Sequence, residues 1–531
     1  MARVGVFPAS GLDSRPLLFA ALGQAFPRVA FEGRPAGSRS GLDALIDFGG
    51  GDEAAAAAAA GIPALAAAAP EGAAGSPAAV KIASDDVDPR LRGRTLGDKH
   101  LAAAPLDNPE GVVLASVEGT PIWTRRGLLD RIAVAPAELD QGEPLRARFG
   151  RHRALALLPI IELLRSLGGE DDWSPPPLRA AFVLDDPNLH WPSYGYLSLP
   201  RLADHADRHG YHLALAMIPL DARLSHPAAA SLLRRHHSLS LTVHGNDHFG
   251  PELGSAASDP EALAVASQAL RRIDAFERRT GISVSRLMVP PHEACSEAMA
   301  RALVRTGFDA ITMTRPYPWL ESSWLAAPAA AGPLVGWWPA DSAPGLPPVL
   351  LRHPLAPPLY SPAEVTLRAY LDQPLILYGH HDDLRDGLDL LAERAAEVSG
   401  LGEVRWASLG EIAAANYSVR QDGELLRLRP HSRRLVVEVP EGTSHLVVEA
   451  TGHDPREAVR SGPRGVALGE PFPVTGGERL ELSLRSPHAV SPAVTGPPRH
   501  RIRRVARRFA GEAHDRLTPA LARLPRGRLN S

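Results

Sequence analysis

The chain alternates short apolar runs with amphipathic stretches. Over residues 1–150 the runs ARVGVF, ALIDFG, IPALAA, VVLAS and TPIWTR have strand length and composition, with helical periodicity at Arg15 to Phe26 and in an Ala-rich segment after Glu53. Such alternation predicts parallel strands joined by crossover helices, hence a small α/β sandwich domain. A helix near Leu145 to Leu167 and the Gly, acid and Pro cluster GGEDDWSPPP then read as a helix and linker over 151–177. From 178 to 416 eight β-like runs (RAAFVL, YHLALAMI, LSLTV, SRLMV, FDAITM, PVLLR, PLILY and GEVRW) recur between helical segments, which predicts a (β/α) barrel with its chemistry at the C-terminal ends of the strands. After Asn416 the period changes to two in LLRLRP, RRLVVEVP, HLVVEA and RLELSLR, predicting a small β-sandwich over 417–490.

Composition narrows the function classes. The 531 residues carry 57 Lys plus Arg against 60 Asp plus Glu, a formal charge of -3, so no global field recruits nucleic acid or an anionic membrane. Local charge is another matter: the tail 491–531 holds ten arginines between Arg499 and Arg528, against Glu512 and Asp515. No aromatic ladder accompanies them for stacking on bases, so specific nucleic-acid binding is not expected. Peripheral contact with acidic lipid or another acidic surface is the alternative to a merely solvated tail. The single cysteine, Cys295, excludes an internal disulfide and a Cys-rich zinc site. The apolar run before Pro8 is too short for a secretory leader, and the Ala-rich stretch Ala54 to Ala69 is cut by Gly61 and Pro63. A cytoplasmic protein is the expectation.

Candidate chemistry gathers in the barrel segment. One strand run ends in Asp185-Asp186, and another ends in His244-Gly-Asn-Asp-His248, two imidazoles four apart that would share a face if the chain turned helical there. Two His and a carboxylate suit a divalent cation, Zn2+ first, with Co2+, Ni2+ or Fe2+ accepted by the same donors, and leave positions for water and substrate. Adjacent carboxylates diverge, so Asp185 and Asp186 can divide two tasks. A third run, LILYGHHDD, ends in His380-His381 followed by Asp382 and Asp383.

These residues resemble the polysaccharide deacetylases of carbohydrate esterase family 4, the NodB-homology domain, over roughly residues 178 to 415. The family's Thr-Phe-Asp-Asp, His-Ser/Thr-x-x-His and Leu-x-x-His motifs are matched in order by Val183-Leu184-Asp185-Asp186, His244 to His248 and Leu377-Tyr378-Gly379-His380. The resemblance implies a distorted (β/α) barrel of NodB type, with Asp185 as general base, Asp186, His244 and His248 as metal ligands, and His380 as general acid. His381 takes the acid's role if the register shifts by one. The first 150 residues resemble a glutamine-amidotransferase-like or flavodoxin-like domain, but without a Cys nucleophile there, a non-catalytic role is expected. Their GGGDE run, Gly49 to Glu53, reads as a Gly-rich helix entry, with anion binding as the alternative.

The chain also departs from the family. Gly245 stands where the family has Ser or Thr, and Val289-Pro290-Pro291-His292-Glu293 stands for an Arg-Pro-Pro-Tyr-like motif but lacks its Arg. His292 and Glu293 keep three alternatives: hydrogen bonding to the base, contact with substrate, or plain loop. No counterpart of the Asp-x-x-Asp-Trp motif is found. Asn188, His190 and Trp191 follow the first motif on the presumed rim, where Trp191 would stack on a sugar or simply pack. Asp247 is a candidate for orienting the neighbouring imidazoles, Asp382 and Asp383 either do the same for His380 or cap a helix, the cap being favoured, and Cys295 reads as an inert small residue. The expected function is metal-dependent removal of an N-acyl group, N-acetyl first, from an amino-sugar-containing glycan, glycan precursor or related metabolite. The alternatives are a catalytically silent scaffold and an amidohydrolase acting on a non-sugar amide.

Overall fold

Strand runs apolar at every position must be covered on both faces, and the barrel segment meets that demand by closing on itself. A computed structural model of the chain describes residues 1–67, 76–101, 106, 111–141, 143–150, 154–168, 173–315, 339–462 and 464–494. The Arg-rich tail therefore lies outside the described residues. The chain divides into two compact units, one of Met1–Ser174 with Glu321–Trp338 and Ser361–Leu371, the other of Pro175–Leu320 with Pro339–Tyr360 and Asp372–Ser531. Among the described residues no helix is long and apolar enough to cross a membrane.

The first unit is built on one mixed nine-stranded sheet. Strands β1 (Ala2–Phe7), β2 (Val29–Gly33), β3 (Ala44–Asp47) and β4 (Ala64–Ala67) pair in parallel, as the alternation predicts. The prediction fails beyond them. Strands β5 (Ser76–Ile82), β6 (Thr95–Leu101), β7 (Val112–Val117), β8 (Thr120–Arg126) and β9 (Leu129–Ile132) form an antiparallel meander, joined to the rest by a parallel β4–β9 pairing. The cause is the connections: Glu118-Gly119 and Gly127-Leu128 allow only hairpins, whereas a parallel return needs a crossover of about a dozen residues. The Gly49 to Glu53 run is a helix entry, because Asp47 already accepts from the amides of Gly49 and Ala54 at 2.6 and 3.0 Å.

The second unit contains the barrel. Strands β10 (Arg179–Asp185), β13 (Leu213–Met217), β14 (Leu239–His244), β15 (Val284–Val289), β16 (Ala310–Met313), β17 (Val349–Pro354) and β18 (Leu375–Gly379) are all parallel, and β10 pairs with both β13 and β18, closing the ring. A short hairpin, β11 (Ser193–Tyr194) with β12 (Leu197–Ser198), follows β10. The eighth run of the sequence is β19 (Arg405–Trp406), which adds two residues to the lower end of β10 rather than a stave to the barrel. Ala181, Val183, Ala214, Ala216, Leu287 and Ile376 form one buried cluster with Leu409 and Ile412 of the helix Leu409–Ala414. That helix is bonded at Gly410 N to Ser285 Oγ near the start of β15, so it lies at the N-terminal end and leaves the C-terminal end for chemistry.

After Asn416 the β-sandwich is as its period predicts. One sheet orders β20 (Tyr417–Asp422), β21 (Leu425–Pro430), β23 (His445–Val448) and β26 (Phe472–Pro473); the other orders β22 (Arg434–Glu438), β27 (Arg479–Arg485), β24 (Ala458–Ser461) and β25 (Arg464–Ala467). Alternate residues such as Leu426, Leu428, Leu435, Val437 and Leu482 bury into a shared core.

Candidate metal centre and active site

Strand β10 runs buried to Asp185 and then turns at Asp186, whose φ is 73°. Strand β14 ends at His244, and the next residues form a loop, not the helix that would have set the two imidazoles on one face. Positive φ at Gly245 (60°) and His248 (52°) folds that loop back, placing His244 Nε2 and His248 Nε2 at 3.2 and 3.0 Å from Asp186 Oδ1. Glu252, which the sequence reading passed over, holds the loop by accepting from the amides of Asn246, Asp247 and His248 at 2.6, 3.0 and 2.9 Å. A Cβ on Gly245 would meet Glu252 Oε1 and lie 2.6 Å from Pro291 Cγ, so Ser or Thr has no room there. Four of the six non-glycine residues with positive φ among the described residues (Asp186, His248, His292 and Glu293) lie in these loops, a concentration of backbone strain of about 1–3 kcal/mol each.

The three groups fit a divalent cation by their own chemistry. Asp186, His244 and His248 each offer a ligand atom, all within 4.8 Å of one another. His244 Nδ1 lies 2.9 Å from the carbonyl oxygen of Val289, which can only accept, so Nδ1 carries a proton and the neutral form of the ring turns its Nε2 lone pair toward Asp186. Two imidazole lone pairs on one carboxylate oxygen repel unless a proton or a cation lies among them. With protons on the two Nε2 atoms in the place of a cation, burial opposes charge on Asp186, yet hydrogen bonds from His244 and His248 hold its carboxyl well below the ordinary range. His244 moves the opposite way: burial lowers it, but Asp185 and Asp186 leave it raised.

Asp185, next to these ligands in the chain, is held by Arg352 on β17. Arg352 Nη1 donates to both carboxylate oxygens of Asp185 at 2.9 Å, while its Nε donates to Glu293 Oε1 at 2.8 Å and its Nη2 reaches the same oxygen. The guanidinium is 3.9 Å from the centre of the Tyr378 ring on β18. Burial lowers its pKa, but Asp185 and Glu293 outweigh that and leave it raised. An arginine therefore faces Asp185 although the third motif lacks one, supplied from a different strand and joined to the third-motif segment by Glu293. The available signal was an Arg inside the otherwise apolar run PVLLR, a charge that must be paired if the strand is buried. Glu293 also accepts from Thr314 N at 2.8 Å, so its carboxylate is occupied in positioning.

The remaining candidates separate by exposure. His380 follows β18 with its Nε2 4.0 Å from Asp186 Oδ2 and its side chain 49 % exposed, facing the mouth of the site. His381 is buried, its ring 5.2 and 5.9 Å from those of Tyr194 and Tyr196, and a Cβ on Gly195 would strike it. Asp383 accepts from His380 N at 2.8 Å at the start of the short turn His381–Leu384, and Asp382 lies 3.5 Å from His381 Nδ1. The carboxylate of Asp247 pairs with Arg272 at 2.5 Å, so it braces the loop from behind, and Val289 orients His244 in its place. The His292 ring lies 5.3 Å from that of His248. His190 Nε2 lies 3.1 Å from the Asp221 carbonyl oxygen, Asn188 is buried, and Trp191 is 50 % exposed and stacked on His226. Cys295 is buried, which pushes its thiol pKa up and leaves it protonated at neutral pH.

No family model and no curated protein matches the chain. Among solved structures it is similar to a polysaccharide-deacetylase-like protein from Mycobacterium smegmatis, at 16 % identity over 45 % of this chain and 93 % of that one, with a TM-score of 0.29. A family 4 carbohydrate esterase from Streptomyces lividans in complex with acetate follows at 12 % identity, over 44 % of this chain and 94 % of that one, with a TM-score of 0.28. BA3943, a CE4 family pseudoenzyme from Bacillus anthracis, is similar at 13 % identity over 44 % of this chain and 68 % of that one, with a TM-score of 0.25. The activities belong to those proteins. For this chain, the closed parallel barrel and its Asp186, His244 and His248 cluster stand on their own pairings and distances.

Proposed function

We propose that the chain is a metal-dependent hydrolase that removes an N-acyl group, N-acetyl first, from an amino-sugar-containing molecule. The observation that carries this reading is one arrangement: three ligand atoms converge on a point, and a second carboxylate, Asp185, is held by Arg352 rather than counted among them. A divalent cation held by Asp186, His244 and His248 would polarise the acyl carbonyl and make water more acidic. Asp185, held by Arg352, takes the proton of the attacking water. His380, exposed at the mouth, gives a proton to the leaving nitrogen, a task within the acid-base chemistry of an imidazole. Trp191 offers an exposed ring face for a sugar. Zn2+ is the cation we favour, because two imidazoles and one carboxylate are its usual donors in open sites. A soluble or lipid-linked glycan precursor in the cytoplasm is the substrate class we favour.

The test is acid release from a panel of N-acyl amino sugars and nucleotide sugars by the Zn2+-loaded chain, beside Asp185→Asn and His380→Gln. Release lowered about 10²-fold or more in both variants supports the reading. Release unchanged in both, or absent from every substrate with the metal bound, sinks it.

A further inference from the structure

At the opposite end of the barrel, a cavity of about 900 Å³ opens between the N-terminal ends of the strands and the outer face of one sandwich sheet. Its walls carry five arginines (Arg286, Arg433, Arg434, Arg460 and Arg485) against two carboxylates, Asp309 and Glu481. That excess is local, since the whole chain is slightly acidic. Not all five are available: Arg433 is buried against Glu457 at 2.7 Å, and Arg286 is held by Asp274 and Glu277 at 2.8 Å. Arg460 and Arg485 differ from these, for neither has a hydrogen-bond or ion-pair partner among the described residues.

The sheet register explains how the cations converge. Ser483 on β27 pairs with Arg434 on β22 and with Arg460 on β24, so two arginines flank one serine across three strands. Arg485 lies two residues along the same face, its Nη1 3.5 Å from where a Cβ of Gly307 would be. Among the described residues the ion pair of Arg434 is with Glu481, at 3.1 Å, with both side chains more than half exposed, so water screens the pair and an incoming anion can displace it. From the barrel side Asp309 faces these groups. Burial pushes its carboxyl up to about 6 even though Arg434, Arg286, Arg433 and Arg485 pull it down. Three like charges beside a hydroxyl, with Asp309 and Glu481 as the only carboxylates among the lining residues, favour an incoming anion.

We propose that this cavity is an oxyanion-binding site, in which Arg434, Arg460, Arg485 and Ser483 take the sulfate, phosphate or carboxylate group of a ligand of about sugar size. The lining offers no exposed aromatic face, Phe308 being fully buried, so nothing there stacks on a nucleobase. The inference stands apart from the chemistry at the other end of the barrel.

The test is titration of the full metal-loaded chain with sodium sulfate at constant ionic strength, by equilibrium dialysis at pH 7.5. Saturable binding of one sulfate per chain is expected, weakened about tenfold or more in Arg460→Gln/Arg485→Gln. Asp309→Asn, which removes the opposing carboxylate, strengthens it several-fold. Parallel arms with inorganic phosphate and a galacturonate trisaccharide distinguish a free oxyanion from one carried on a sugar. No saturable sulfate binding above a chloride control, or equal binding by the folded double variant, overturns the proposal.

Discussion

Nη1 of Arg352 sits 2.9 Å from both carboxylate oxygens of Asp185, and both side chains are almost completely buried. Two neighbouring aspartates thereby acquire different surroundings, Asp185 against a fixed cation and Asp186 against two imidazoles.

Replacing Arg352 tests that division. A lysine keeps the charge but cannot bond Asp185 and Glu293 together, so Arg352→Lys should fold, keep its metal and lose turnover on the order of 10²-fold. Arg352→Met leaves two carboxylates facing an uncharged residue and should destabilise the chain by about 3–5 kcal/mol, read by urea unfolding. If Arg352→Lys turns over like wild type, the guanidinium does not position the base.

The adjacent histidines should separate cleanly. His380→Gln is expected to lower turnover with the unfolding midpoint unmoved, because the ring is half exposed. His381→Ala should cost about 2–3 kcal/mol of stability, because it empties a buried space between Tyr194, Tyr196 and Gly195. The reverse pattern would move the acid to His381.

Gly245→Ser would restore the residue that the resembling family carries, yet it should damage this chain. The side chain would enter the space of Glu252 and Pro291 at a φ of 60°. We expect metal affinity to fall about tenfold or more, measured by competition with a chelating dye, because the His248 loop loses its anchor. Unchanged affinity would show that the loop can shift without cost.

Legibility in the sequence followed the range of the interactions. The barrel strands were readable because parallel staves buried on both faces are apolar throughout, and the sandwich because its period is two. The parallel reading of the first sheet failed at Glu118-Gly119 and Gly127-Leu128, where two-residue turns outweigh any impression of alternation. Asp185, Asp186, His244, His248 and His380 were legible as candidates because they stand in short motifs. Arg352 and Glu252 were not, for their partners lie 167 residues away in the first case and are backbone amides in the second. A loop bent at positive φ, not a helix, brings His248 to Asp186.

Acid should unfold the chain partly through His212. Burial pushes its pKa down to about 4 from an ordinary value of 6.5, and its Nε2 lies 2.8 Å from Ser240 Oγ. Between those two values the unfolded chain binds the proton and the folded chain does not, so this contribution is full above pH 6.5 and is lost as pH falls toward 4. Urea midpoints for wild type and His212→Gln from pH 7.5 to 4.5 should show the shallower decline in the variant, with up to about 3 kcal/mol at stake. Parallel curves would contradict the assignment.

Metal content measured together with acid release in the neighbouring variants Asp185→Asn and Asp186→Asn tests the account most directly. Wild type should bind one divalent ion per chain and release acid from an N-acyl amino sugar. Asp185→Asn should keep the ion and its melting behaviour while losing turnover by about 10²-fold or more, whereas Asp186→Asn should lose the ion itself. An ion lost from Asp185→Asn and kept by Asp186→Asn would exchange the two roles. Stoichiometric metal retained by a His244→Ala/His248→Ala variant, or wild-type turnover in both aspartate variants, would contradict the account.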